Sequence, residues 1–441
     1  MVGSRGMGMA AVVWLVAACI AGASVPAVAA DAAPPNIIVV LADDLGIGNV
    51  SCYGADTFKT PNVDALAASG MRFNRCYSAP NCGPSRALML TGRYGFRTGM
   101  TGNDKPAVKL MRDGRKDESM IPKMLKARGY ATASAGKWSQ VPLEPTDWGF
   151  DEYITTNGSG AYWADDRATY RVNGEEKPWP EGVYMPDLNH EFVVDFMARH
   201  KNQPFYIHYA LAHIHTKILP TPDSAADADG DALFKDNIAY MDKLVGRLMA
   251  DIERLGLKDN TLVIFTGDNG VHPNKGDVST IGGRRISGAK GTLLEGGSRV
   301  PLVASWPARV AAGGVCDDLV SFTDFLPTFA AVAGAELPAG LVLDGRSFAP
   351  QLLGEKGTPR EWLFVMLGRH WYVRDAGWKL TDKGELFDMR DAPFEEKPVP
   401  ADASDPEALA GRKRLAAVLA DLDPAAGKLG DESGKHEKHD K

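Results

Sequence analysis

Two acidic pairs and one cysteine are the residues of this chain best suited to chemistry. Asp43-Asp44 follow directly on Asn36-Ile37-Ile38-Val39-Val40-Leu41-Ala42, and Asp268-Asn269-Gly270 follow Thr261-Leu262-Val263-Ile264-Phe265-Thr266-Gly267. Three carboxylates and one amide carbonyl form a set of hard oxygen donors, which suits Ca2+ or Mg2+ better than a soft transition metal. Taken singly, Asp43-Asp44 reads as a loop charge or helix cap, and Asp268-Asn269-Gly270 as a turn. Their common placement at strand ends lifts both above that background. The third feature is Cys82, in Cys82-Gly83-Pro84-Ser85-Arg86, at what reads as the start of a helix. A disulfide partner, a buried thiol and a converted nucleophile are the three readings open to it.

These groups need elements to hold them. The run Asn36 to Ala42 is continuous, apolar and rich in β-branched residues, so it predicts a strand buried on both faces. Thr60-Pro61 predicts a helix start that Gly70 ends. A helix over Glu118 to Arg128 and a strand over Tyr130 to Ala135 follow. Pro204 to Leu211 predicts another strand. Phe234, Ile238, Met241, Val245, Leu248 and Ile252 recur at three- and four-residue steps, which predicts a helix over Leu233 to Leu255. Alternating strands and helices predict an α/β fold, a large mainly parallel sheet sandwiched by helices. Ligands of such sheets gather beyond the carboxyl ends of the strands. The two acidic pairs, more than 200 residues apart in sequence, are therefore expected to be neighbours. After about Pro338 short strand patterns at Trp362 to Leu367, Trp371 to Arg374, Trp378 to Thr381 and Glu385 to Met389 predict a smaller α+β subdomain with an antiparallel sheet, followed by a helix over Pro406 to Leu422.

The 441 residues are 44% hydrophobic and 24% charged, with a net charge of -7. That balance gives no basic stripe and argues against nucleic acid as a partner. Residues 1–30 combine Arg5, an apolar stretch from Met9 to Gly22 and Ala27-Val28-Ala29, the pattern of a cleaved export signal. Val16-Ala17-Ala18-Cys19 leaves lipid anchoring through Cys19 open. No later run is long and apolar enough for a transmembrane segment. The expected product is periplasmic or extracellular, organised as a catalytic α/β domain over 31–340, a subdomain over 341–425 and a charged tail over 426–441. Four cysteines remain after the signal, too few for a disulfide framework.

Cys82-Gly83-Pro84-Ser85-Arg86, continued by Leu90-Thr91-Gly92-Arg93, resembles the signature of the type I, formylglycine-dependent sulfatases, which share the alkaline-phosphatase-like fold. The resemblance extends through Thr60-Pro61-Asn62-Val63-Asp64, Gly136-Lys137-Trp138, Gly288-Ala289-Lys290-Gly291 and Glu295-Gly296-Gly297-Ser298-Arg299. It implies hydrolysis of a sulfate ester by a formylglycine made from Cys82 by a formylglycine-generating enzyme. It further implies that Asp43, Asp44, Asp268 and Asn269 hold the divalent cation, Ca2+ or Mg2+, with converted Cys82 as another ligand. Arg86 would orient the formylglycine, and Lys137 and Lys290 would bind sulfate oxygens, although each alone reads as a solvated surface lysine. His215 would contact sulfate or protonate the leaving alcohol; His213 competes for that role. His272, close to the metal loop, is a candidate for facing substrate.

One position departs from the family pattern. Gly136-Lys137-Trp138 is followed by Ser139-Gln140 where the family usually has histidine, which removes a group worth about 10² to 10⁴-fold as a general acid or base. Two rivals stand beside the sulfatase reading: a phosphate mono- or diester hydrolase on the same fold, and a glycan-binding homologue with impaired catalysis. Tyr162, Trp163, Trp179 and Tyr184 lie in a Gly/Pro-rich insertion, Thr155 to Asp187, where aromatic rings could stack on sugars or simply anchor the loop. A sulfated glycan is the expected substrate, over a small aryl sulfate.

Overall fold

The computed structural model describes residues 34–138, 141–156, 162–164 and 168–429. The expected export signal, Ser139-Gln140 and most of the charged tail lie outside the described residues. Seventeen strands are described. In chain order the first ten are Asn36–Ala42 (β1), Met71–Tyr77 (β2), Ala131–Gly136 (β3), Glu152–Thr156 (β4), Thr169–Val172 (β5), Glu175–Pro178 (β6), Phe205–Leu211 (β7), Thr261–Gly267 (β8), Thr280–Ile281 (β9) and Arg284–Arg285 (β10). There follow Arg299–Ser305 (β11), Gly314–Ser321 (β12), Leu363–Leu367 (β13), His370–Arg374 (β14), Trp378–Thr381 (β15), Leu386–Asp388 (β16) and Lys397–Val399 (β17).

Ten strands form one sheet in the order β12-β2-β11-β8-β1-β7-β3-β4-β5-β6. β1 lies at its centre, parallel to β7 on one side and to β8 on the other. Its side chains alternate between two cores. Ile37, Val39 and Leu41 enter one, Ile38 and Val40 the other, all without solvent exposure. Burying each such side chain contributes about 1.5–3 kcal/mol, which fixes the strand's register from both faces.

The sheet is mixed, though mostly parallel. β11 runs antiparallel between β2 and β8, and β5 and β6 form an antiparallel edge hairpin. That hairpin corrects the reading of Thr155 to Asp187 as plain loop. The helix expected from Thr60-Pro61 forms as Pro61–Ala68 (α1). The expected helix over Glu118 to Arg128 shrinks to Ile121–Lys126, with a 3-10 turn at Arg115–Asp117 before it. Helix Met185–His200, unforeseen, covers β3 and β7. Helix Pro406–Leu422 forms with the expected bounds.

The C-terminal sheet has five strands in sequential antiparallel order, β13 to β17. It is tied to the large sheet by a buried polar seam. Tyr77 donates to Glu295 at 2.9 Å, Arg374 donates to Tyr77 at 2.7 Å and to Glu295, and Ser298 meets the Tyr372 hydroxyl at 2.9 Å. Cys52, Cys76 and Cys316 are unbridged. Among the described residues, no helix is long and apolar enough to cross a membrane.

Candidate active site

The central strands end level with one another. Ala42 pairs with Leu211 and Gly267, and Gly136 pairs with Ala210. The ladder then continues one step beyond: Asp43 N–H donates to Leu211 O at 3.0 Å, Asp268 N–H to Ala42 O at 2.9 Å, and Lys137 N–H to Ala210 O at 3.0 Å. Three residues from distant parts of the chain are thus delivered to one edge by backbone hydrogen bonds. Gly136 makes the delivery of Lys137 possible. Its φ is +96°, and a Cβ there would sit 2.0 Å from Ala210 O.

Cys82 arrives from the other direction, at the first position of helix Cys82–Thr91 (α2), whose residues are all buried. The ligand atoms of Asp43, Cys82 and Asp268 lie within 4.8 Å of one another, as do those of Asp43, Asp44 and His215. Arg86, one turn along α2, grips Asp268 Oδ2 through Nε and Nη2 at 3.1 and 2.9 Å, and its Nη1 donates to Lys137 O at 2.6 Å. It therefore braces the acidic pair and the lysine segment as well as standing beside Cys82. Asp44 adopts φ +56°, and its N–H donates to Asp268 Oδ1 at 3.1 Å. A non-glycine residue held there at a cost of about 1–3 kcal/mol is a mark of functional geometry.

Lys137 and Lys290 are not surface lysines. Lys137 Nζ is buried against Asp43 Oδ2, and Lys290 Nζ donates to Asp44 Oδ1 at 2.6 Å. Burial opposes the charge of Lys290, but Asp44, Asp43 and Cys82 outweigh it and hold its pKa above the ordinary lysine value. Burial raises the Asp268 carboxyl, with Asp43 adding to the effect and Arg86, Lys137 and Lys290 opposing it. Burial likewise raises the Cys82 thiol, against Lys137.

The donor set fits a hard cation. Asp43 Oδ1, Asp44 Oδ2 and Asn269 Oδ1 are buried with no hydrogen-bond partner among the described residues. Asn269 spends its Nδ2 on Asp44 Oδ1 at 2.8 Å and Gly270 O at 2.9 Å, which aims its oxygen away from both. Oxygen atoms buried without partners are costly, and a divalent cation satisfies all three at once. Arg86, Lys137 and Lys290 already balance the three carboxylates in formal charge. A divalent cation would then leave the cluster net positive, suited to an anionic ester.

The two competing histidines separate cleanly. His213 is buried, its Nε2 3.1 Å from the Tyr184 hydroxyl and its ring stacked on Tyr162 and Tyr240; burial lowers its pKa to about 3. His215 lies with Asp43 and Asp44 and is partly exposed, its Nδ1 bonded to Thr216 O at 2.5 Å. Ile214 between them takes φ +64°. His272 accepts from Asn274 N–H at 3.3 Å through Nδ1. Burial lowers its pKa most, Asp44 opposes that, and Lys290, His215 and Lys275 lower it further. Of the insertion aromatics, Tyr162, Trp179 and Tyr184 are buried packing residues, whereas Trp163 is part-exposed and donates to Pro220 O at 2.7 Å. Sequence reasoning passed over Asn103, whose side chain lies 3.3 Å from Cys82 Sγ.

Residues 35–335 match the family model described as Sulfatase. The chain belongs to the sulfatase family. Residues 289–418 also match the model described as N-sulphoglucosamine sulphohydrolase, C-terminal. Human arylsulfatase A is 36% identical over 374 residues, covering 76% of this chain and 70% of its own. Steryl-sulfatase of Rattus norvegicus is 30% identical over 442 residues, covering 80% and 76%. The solved structure of Ps i-CgsB superposes with a TM-score of 0.78 at 27% identity, covering 92% of this chain and 95% of its own; it has also been solved in complex with k-i-k-neocarrahexaose. This sulfatase is an enzyme of sulfate-ester hydrolysis, and its relatives favour neither the phosphate-ester nor the binding-only alternative.

Proposed function

We propose that the chain is an exported, calcium-dependent hydrolase of sulfated glycans whose nucleophile is a formylglycine made from Cys82. The carrying observation is the cluster at the buried start of α2, where Asp43, Cys82 and Asp268 converge beside oxygen atoms that lack partners. When present, the cation polarises sulfate oxygens as a Lewis acid and the hydrated aldehyde provides a nucleophilic hydroxyl.

The chain's own residues do the rest. Asp43, Asp44, Asp268 and Asn269 hold the cation. Arg86 fixes Asp268 by donating two N–H groups to its Oδ2 and so fixes the donor geometry. Lys137 and Lys290 place fixed positive charge where sulfate oxygens lie, and preorganised charge of this kind is commonly the largest catalytic contribution. Through its Nδ1–H, His215 donates to Thr216 O, which leaves Nε2 to carry the proton delivered to the leaving alcohol. The glycan substrate class is supported by the oligosaccharide complex of Ps i-CgsB, and by the part-exposed Trp163.

Intact mass measurement of protein made beside a formylglycine-generating enzyme tests the nucleophile. Conversion lowers the mass by about 18 Da, whereas oxidation up the ordinary cysteine ladder raises it. Cys82→Ala should abolish sulfate release from an aryl sulfate and from a sulfated oligosaccharide. Full activity of that variant would refute the reading.

A further inference from the structure

We propose that Asn103 is a positioning residue of this active site, whose side-chain amide both caps α2 and holds the side chain at position 82. The inference rests on the sulfatase reading above.

The first turn of a helix leaves backbone N–H groups without intrahelical partners. In α2 the usual remedy is missing, because Asn81, at the cap position, makes no side-chain capping bond. Pro84 has no N–H, and Ser85 N–H is taken by Asn81 O at 3.1 Å. Gly83 N–H instead donates to Asn103 Oδ1 at 3.0 Å, twenty residues along the chain. A backbone N–H can only donate, so the atom facing it must be the amide oxygen. That choice fixes the other end of the amide: Nδ2 points at Cys82 Sγ, 3.3 Å away. One planar group is thus bonded to two adjacent residues of the nucleophile's own turn.

The placement bears on reactivity. Asn103 is exposed while Cys82 is buried, so the amide stands between solvent and the reacting position. It comes from the loop between helices Gly95–Thr98 and Lys105–Asp113, the latter anchored by Asp104 accepting from Ala107 N–H at 2.9 Å. A donor at this point restricts the rotamer of residue 82 toward the groups that hold sulfate.

Two variants separate capping from positioning. Asn103→Asp keeps an oxygen for Gly83 N–H and removes the donor; Asn103→Ala removes both. Hydrogen exchange at the Gly83 amide should stay protected in Asn103→Asp and speed up about tenfold or more in Asn103→Ala. With conversion at position 82 verified by mass and calcium present, kcat for an aryl sulfate should fall about 10- to 100-fold in both variants, with KM within about threefold. A loss common to both excludes the new carboxylate charge as its cause. Wild-type kcat in Asn103→Asp, unaltered Gly83 exchange in Asn103→Ala, or a kcat loss that merely tracks reduced conversion would each overturn the proposal. Absence of sulfate release from the unaltered protein would sink the sulfatase reading instead, and Gly83 exchange would still decide the cap.

Discussion

At the residue scale, what distinguishes this site is unused bonding capacity. Asp43 Oδ1, Asp44 Oδ2 and Asn269 Oδ1 are enclosed without partners among the described residues, although each residue's other polar atom is committed. A ligand that satisfies them binds the folded state alone, so it must stabilise that state by mass action. Calcium at about 100 times its Kd should add about 2.7 kcal/mol. The expected result is a Tm that rises with calcium and falls back on chelation, together with sulfate release. Asp44→Ala should flatten the dependence, and a calcium-insensitive Tm in the unaltered protein would refute the assignment. The acidic donors were legible in the sequence because each follows a buried apolar strand with no intervening loop. Asn103 was not, since its neighbours Thr101, Gly102 and Asp104 read only as turn chemistry, and its partner is twenty residues away.

Among the elements, site geometry reduces to how four parallel strands end. β1, β3, β7 and β8 finish in register, so residues 43, 137 and 268 need no loop of their own to reach the site. Gly136→Ala should separate the ends of β3 and β7, since both its φ of +96° and the approach of Ala210 O exclude a side chain. A cost of about 1–3 kcal/mol and a large loss of kcat are expected. Gly129→Ala is the matched control: it has φ +84° but no atom within 4 Å of its Cβ, so it should cost stability and leave kcat intact. Equal kcat losses in the two would show that the strand junction does not set the lysine. The buried parallel strands were readable from uninterrupted β-branched runs. β2, with Arg72, Asn74 and Arg75 among its apolar residues, gave no such run, and β17 carries Pro398, which fits an edge strand but hides it from a pattern search. Helix Met185–His200 was masked by the Gly/Pro-rich stretch before it.

For the whole molecule, the large core encloses titratable rings that must stay neutral. His208 on β7 is buried among Trp138 and Phe150 with neither nitrogen partnered among the described residues, and burial, helped by Arg86, lowers its pKa to about 3; His213 is lowered similarly by burial. The unfolded chain binds these protons near pH 6.5, the folded chain only near pH 3. Their contribution is therefore fully present above pH 6.5 and is lost as pH falls toward 3, at about 1.4 kcal/mol per pH unit for each ring. Denaturant melts should show that slope between pH 6 and 4, and His208→Leu should reduce it by about one ring's share; an unchanged slope would contradict the burial account.

The wall around Cys82 is assembled from Asp43, Asn103, Lys137, Asp268 and Lys290, and Cys82 is 1% exposed. A protein-sized modifying enzyme cannot pass through that wall. On the proposed conversion, maturation of residue 82 would be a race with synthesis: Lys290 emerges roughly 200 residues after the cysteine, about 10–40 s at ordinary elongation rates. A chain that folded before that conversion would then stay inactive for as long as it stayed folded.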